Sequence, residues 1–143
     1  MFPMFTWYFL SLHGRVSRQE FRLGYLGLVI LNALLVRIVY RVTLPPVYYY
    51  NGRSEVDHLY QLPVLLVLLI IIWPLIAVFV KRLHDLNLSG WWMLAVLAIP
   101  PVSKAININA WTIFLLVVVL LSFIPGAAGS NRFGPDPLAH ARI

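Results

Sequence analysis

The chain has 143 residues, 61% of them hydrophobic and only 11% charged, against roughly 25% charged in an ordinary soluble domain. So few polar residues cannot coat a single core, which makes lipid the natural solvent for most of the surface. A net charge of +6 comes without the basic face or motif that nucleic acid binding needs, and the absence of cysteine excludes disulfides, thiolate catalysis and cysteine metal sites.

The opening MFPMFTWYFL is apolar but lacks a positive n-region and a small-residue cleavage site. It reads as a retained segment, with Trp7 and Tyr8 suited to the membrane interface. Next comes GRVSRQEFRLG, Gly14 to Gly24. Ser17 and Glu20 have the spacing of a capping box, and Val16 and Phe21 flank it as a hydrophobic staple, so a helix is predicted to begin here. Arg15, Arg18 and Arg22 are expected at lipid phosphates, Arg18 and Arg22 sharing one helical face.

The first hydrophobic segment covers 21–42. Asn32 within it is expected to hydrogen-bond across to another helix. Arg37 and Arg41, about 40° apart on the helix, are expected to snorkel to the interface, with an ion or anion pathway as the sharper alternative. The stretch 43–61, with Tyr48, Tyr49, Tyr50 and Tyr60 around Asn51-Gly52, reads as an external turn with an aromatic belt. The second segment, 62–80, is LPVLLVLLIIIWPLIAVFV, an uncharged run close to the ~20 residues that cross a bilayer. Pro74 inside it predicts a kink.

KRLHDLNLSGWW, residues 81 to 92, follows. Lys81 and Arg82 are expected to complement the macrodipole of the helix they end. Asn87 tolerates a left-handed backbone, and Ser89-Gly90 suits a turn before the interfacial Trp91 and Trp92. His84 and Asp85 remain. As helix neighbours they point about 100° apart, poorly placed for a catalytic couple. A metal would draw on His13, Asp136 or His140 at no recognisable spacing, and Ser89 has no nucleophile motif around it. No metal, no cofactor and no enzyme activity are expected.

The third segment, 91–106, is the weak one. Its apolar stretch Trp91 to Val102 reaches only about 18 Å as an α-helix, and Pro100-Pro101 are expected to break it. It either extends through Ile106 to cross or re-enters without crossing. The fourth segment, 110–124, ends at Pro125-Gly126. In GAAGSNRFGPDP, Gly126 to Pro137, Asn131 and Asp136 suit bonds to their own main chain. Arg132 is a fork donor in a rigid loop, and Asp85 is its expected partner.

The fold class read from this pattern is an all-α integral membrane protein, a single helical domain with four hydrophobic segments. If all four cross, Arg15, Arg18, Arg22, Lys81, Arg82, Arg132 and Arg142 share one side, against Arg37, Arg41, Arg53 and Lys104 on the other. The positive-inside bias then places both termini in the cytoplasm. Arg15, Arg18, Arg82, His84, Asp85, Ser89, Asn131, Arg132 and Asp136 would gather there as one polar cluster. Within it His84, Asp85, Arg132 and Arg15 are expected to form a hydrogen-bonded latch.

GRVSRQEF, RLHD followed by SGW, and GSNRFGPDP, in this order between these apolar runs, resemble the bacterial inner-membrane family catalogued as domain of unknown function 805. The resemblance covers about Gly14 to Pro137 and implies a small multi-span inner-membrane protein with no assigned activity. Three departures stand out: Asn87 replaces the usual turn glycine, Arg22 an aromatic, and VSKAININ lengthens a short connection. The expected function is a structural or interaction protein binding anionic headgroups or a membrane partner, with an oligomeric small transporter or channel as the alternative.

Overall fold

A computed structural model describes residues 3–43, 49–50, 53–54 and 62–139. The elements in chain order are α1 (Pro3–Phe9), α2 (Arg18–Thr43), the two-residue strands β1 (Tyr49–Tyr50) and β2 (Arg53–Ser54), α3 (Leu62–Asp85), a 3-10 helix (Gly90–Ala98) that runs into α4 (Ile99–Ile106), and α5 (Ala110–Phe123). β1 and β2 pair antiparallel, Tyr49 opposite Ser54. Tyr48, Asn51-Gly52, Tyr60, His140 and Arg142 lie outside the described residues.

α2 starts where the capping box places it. The Ser17 amide donates to Glu20 Oε2 at 2.7 Å and the Glu20 amide to Ser17 Oγ at 3.3 Å, which satisfies two of the donors a helix start leaves over. Val16 and Phe21, the staple pair, are both fully buried. Pro74 stands inside α3 without ending it. Asn87 adopts the left-handed conformation at φ 59°, and the Ser89 side chain caps the 3-10 helix by accepting from the Trp91 amide.

Pro100 and Pro101 do not break the third segment. They lie in the first turn of α4, at the junction where the 3-10 helix passes into the α-helix. The preceding residues wind as a 3-10 helix, which rises about 2.0 Å per residue instead of 1.5 Å. Gly90–Ile106 is therefore longer than an α-helix of the same residue count, about 30 Å end to end.

α2 and α3 are long and apolar enough to cross a membrane, over Arg18–Val42 and Leu62–Asp85; Gly90–Ile106 and α5 are shorter apolar stretches. The buried core gathers at one end of the bundle: Val16, Phe21 and Leu28, then Val78, Phe79 and Leu83, then Val118 and Leu121. Phe79 stands edge-on to Phe21 and Tyr25, centroids 5.2 and 5.7 Å away. Past Leu28, no described side chain of α2 is buried. Leu26, Ile30, Leu34, Leu66 and Ile70 are more than half exposed, the inverse of a water-soluble helix pair.

Candidate functional site

The packed end of the bundle is closed by a polar cap built on the last turn of α3, just beyond the uncharged run 62–80. Helical geometry sets Arg82 and Asp85 one turn apart on one face and turns Lys81 toward a different neighbour. All three are buried, Lys81 and Arg82 with no exposed surface at all.

Asp85 is the hub. Its Oδ1 accepts from Arg15 Nη2 at 2.9 Å and Nε at 3.1 Å, and its Oδ2 accepts from Arg82 Nη1. Burial works against the charged carboxylate, while the Arg15 hydrogen bonds and the Arg82 charge work for it. The remaining guanidinium protons go to main-chain carbonyls. Arg15 donates to Ala127 O at 2.5 Å and Gly129 O at 2.6 Å. Arg82 donates to Leu121 O at 2.8 Å and to Ile124 O. Two cations and one anion are thus held out of water with their hydrogen-bonding groups engaged, the condition under which buried charge is tolerated.

The partners correct two expectations. Arg132 does not pair with Asp85; it donates to Asn87 O at 3.2 Å and lies over the Phe133 ring. Both carboxylate oxygens are already engaged, by Arg15 and by Arg82. Nor do Lys81 and Arg82 serve the end of α3. Arg82 caps the carbonyls at the end of α5, and Lys81 donates to Trp7 O and, at 2.6 Å, Tyr8 O at the end of α1. Each fills the orphan acceptors of a neighbouring helix, where positive charge also suits the dipole. The Lys81 ammonium lies 4.4 Å from the Trp7 ring centroid as well, a favourable cation–π distance. Arg15 is likewise buried, not at a lipid surface, whereas Arg18 and Arg22 are exposed.

The carbonyls at the end of α3 are taken by the C-terminal loop. The Ala127 amide donates to Asp85 O at 2.8 Å and Asn131 Nδ2 to His84 O at 2.9 Å. The Asn131 side chain also accepts from the Phe133 amide, and Asn131 pairs with Gly134 through both main-chain groups. Asp136 accepts from the Leu138 and Gly129 amides, in keeping with its turn-forming spacing. His84 stacks flat on Phe133, 3.9 Å between centroids at 4°, with Nδ1 3.2 Å from Gly14 O. Burial pushes its pKa below the ordinary value, against the Gly14 hydrogen bond.

The N-terminal segment is fixed by the same cap. The Tyr8 hydroxyl donates to Glu20 O at 2.5 Å, and its pKa is pushed up to about 12 by burial and then by the Glu20 charge. Gly14, at φ 96°, passes so near the Trp7 indole that an added Cβ would lie 2.8 Å from it. Beside the hub, a cavity of about 90 Å³ is bordered by Ser17, Arg18, Gly126 and Asp136. Among the described residues no three His, Asp or Glu side chains gather as a metal site needs.

The structure therefore brings Arg15, Arg82, Asp85, His84 and Asn131 into one network, with Arg132 and Asp136 stabilising its outer loop and Arg18 at the cavity rim. Ser89 is separate, used in capping. Lys81 was missed as a member because its partners are carbonyls of a helix too short to register as one. Gly126 was missed because its role is spatial: any Cβ there would overlap the Asp85 carboxylate.

Such a fold and site define a class: a helical bundle with two helices of membrane-crossing length and apolar character, sealed at one end by an internally satisfied polar cap. The chain belongs to the family described as Protein of unknown function (DUF805), whose profile matches residues 9–135. It is similar to Inner membrane protein YhaH of Escherichia coli strain K12 and of Escherichia coli O157:H7. Each is 35% identical over 69 residues, 48% of this chain and 47% of the relative. The aligned part thus spans about half the length of those relatives. No solved structure matches.

Proposed function

We propose that the protein is a multi-pass structural or interaction protein of the bacterial inner membrane, with its polar cap in the cytoplasm and exposed arginines around the cap on anionic headgroups. The observation that carries this reading is the consumption of polar groups inside the cap. Arg15, Lys81, Arg82 and Asp85 are buried and bonded to one another or to main chain, so they act as a rigid clamp on helix ends. Among the described residues, the cations left facing outward near this end are Arg18, Arg22 and Arg132. Juxtamembrane arginines attract anionic lipid at about 1 kcal/mol each.

Four crossings are supported by length. α2 and α3 suffice alone, the 3-10 winding gives Gly90–Ile106 about 30 Å, and α5, at about 21 Å, fits a slightly thinned bilayer. Arg37 lies roughly 28 Å along the α2 axis from Arg18, which is one hydrocarbon thickness away, so Arg37 and Arg41 reach the opposite interface instead of lining a pathway.

The topology is tested with single cysteines at Ser11, Ser54, Ser89 and Ser130, the native chain having none. Only Ser54→Cys is expected to react with an impermeant thiol reagent added outside intact cells. Labelling of Ser130→Cys from outside would reverse the fourth crossing and put the cap on no single side. For lipid binding, the expected result is a higher unfolding temperature in nanodiscs as phosphatidylglycerol replaces a zwitterionic lipid. The Arg18→Gln/Arg22→Gln/Arg132→Gln variant should lose that increment. An equal increment in parent and variant would reject headgroup binding by these residues.

A further inference from the structure

α1 has no charged residue, and beside the ring edges of Trp7 and Tyr8 its one polar side chain is Thr6. Met4 is 81% exposed and Phe5 59%, while Trp7, about 200° around the helix from Phe5, is still 39% exposed. A helix that rests flat on a membrane interface turns a charged or polar face to water. A helix apolar on every side has no such face and belongs in an apolar medium.

Its place on the bundle gives a depth. The Trp7 ring rests against Gly14, in the stretch where His84 meets Gly14 O and the Val16 amide donates to Lys81 O. Trp7 is therefore level with the polar cap. Three residues later, Leu10 O accepts from Trp73 Nε1 at 3.0 Å. Trp73 stands eight residues before Lys81, about 12 Å back along α3 and inside the uncharged run 62–80. By Gly14 the chain is at the cap again. Between these points it packs over the start of α2, where the Tyr8 hydroxyl donates to Glu20 O and fills the space beside Gly24.

The carbonyls around the turn are met by protein donors. Thr6 O accepts from the Leu10 and Ser11 amides at 2.9 and 3.1 Å. Trp7 O and Tyr8 O accept from the buried Lys81 ammonium, and Leu10 O from Trp73. At a helix end in water, solvent fills this role. In hydrocarbon an unpaired carbonyl is costly, so donors must come from the chain itself. Trp73 is half-exposed on the apolar flank of α3, which places its bond to Leu10 O on the side that faces acyl chains.

We propose that residues 3–14 form a re-entrant hairpin in the cytoplasmic leaflet, with Leu10 at its tip and the acyl chains of that leaflet against Met4, Phe5 and Leu10. The hairpin rests on the membrane placement proposed above. It puts the Lys81 ammonium below the headgroups, masked there by two carbonyls and the Trp7 ring.

The test attaches a nitroxide to single cysteines in the full chain, reconstituted in vesicles of phosphatidylcholine and phosphatidylglycerol. Spin relaxation is read with oxygen, which partitions into hydrocarbon, and with a water-soluble nickel chelate. The oxygen-to-nickel ratio should rise from Met4→Cys to Leu10→Cys and fall again at His13→Cys, with Leu10 above His13 by at least about five-fold. A ratio at Leu10 no higher than at His13, or equal at Met4 and Leu10 as in a helix lying flat, would overturn the hairpin. Ile70→Cys, on the exposed flank of α3, reports on the membrane itself. Nickel access at Ile70 would remove the membrane placement and the hairpin with it, whereas a dry Ile70 beside a wet Leu10 would overturn the hairpin alone.

Discussion

Asp85→Ala is expected to destabilise the fold by about 3–5 kcal/mol, because it strands two buried guanidiniums without their counter-charge. Arg15 and Arg82 are both almost completely buried, at 3% and 0% exposure, so neither can recover solvation without opening the cap. The loss should propagate, since the same two side chains hold the carbonyls of Leu121, Ile124, Ala127 and Gly129. Unfolding followed by tryptophan fluorescence in detergent micelles reads the effect as a lower midpoint temperature. The informative contrast is Arg15→Met/Asp85→Leu/Arg82→Met. Replacing a whole buried ion cluster with apolar residues of similar volume is often neutral or stabilising, so the triple variant should be more stable than Asp85→Ala. Parent-like stability of Asp85→Ala would show that the triad does not hold the cap.

The second large effect is expected at a residue with no functional group. Gly126→Ala places a Cβ inside the volume of the Asp85 carboxylate. The carboxylate cannot step aside, because Arg15 and Arg82 grip both its oxygens and the Ala127 amide holds the Asp85 carbonyl at 2.8 Å. Overpacking of this kind costs about 1–3 kcal/mol. Gly27→Ala is the matched control. A Cβ there meets nothing within 4 Å, and removing glycine from a helix interior gains about 0.5–1 kcal/mol. The pair should therefore move the midpoint temperature in opposite directions. A fall of equal size in both would mean that glycine itself, and not the space beside Asp85, is what each site needs.

Part of the local chemistry was legible in the chain. The Ser17–Glu20 box starts α2, Asn87 takes the left-handed turn, and the uncharged run 62–80 lies within one long helix. Each depends on residues within four positions of one another, and backbone hydrogen bonding and sterics act at that range. The convergence of GRVSRQEF, RLHD and the Gly126–Pro137 loop was legible too, as three polar stretches between apolar runs.

Pairing inside the cluster was not. The choice of Arg15 and Arg82 over Arg132 for Asp85, across 70 residues in one case and three in the other, depends on which guanidiniums the folded chain brings beside the acceptor oxygens. Lys81 and Arg82 look alike as a dibasic helix end, yet they cap two different helices. That division follows from the 100° between successive side chains and from where α1 and α5 happen to dock. The prolines at 100 and 101 read as a stop until the 3-10 winding upstream placed them in a first turn. Composition and periodicity by themselves determined the helical, lipid-suited class and the helix starts, because those are sums over local terms. Only the tertiary structure decided which buried charge meets which, because that depends on where segments distant in the chain come together.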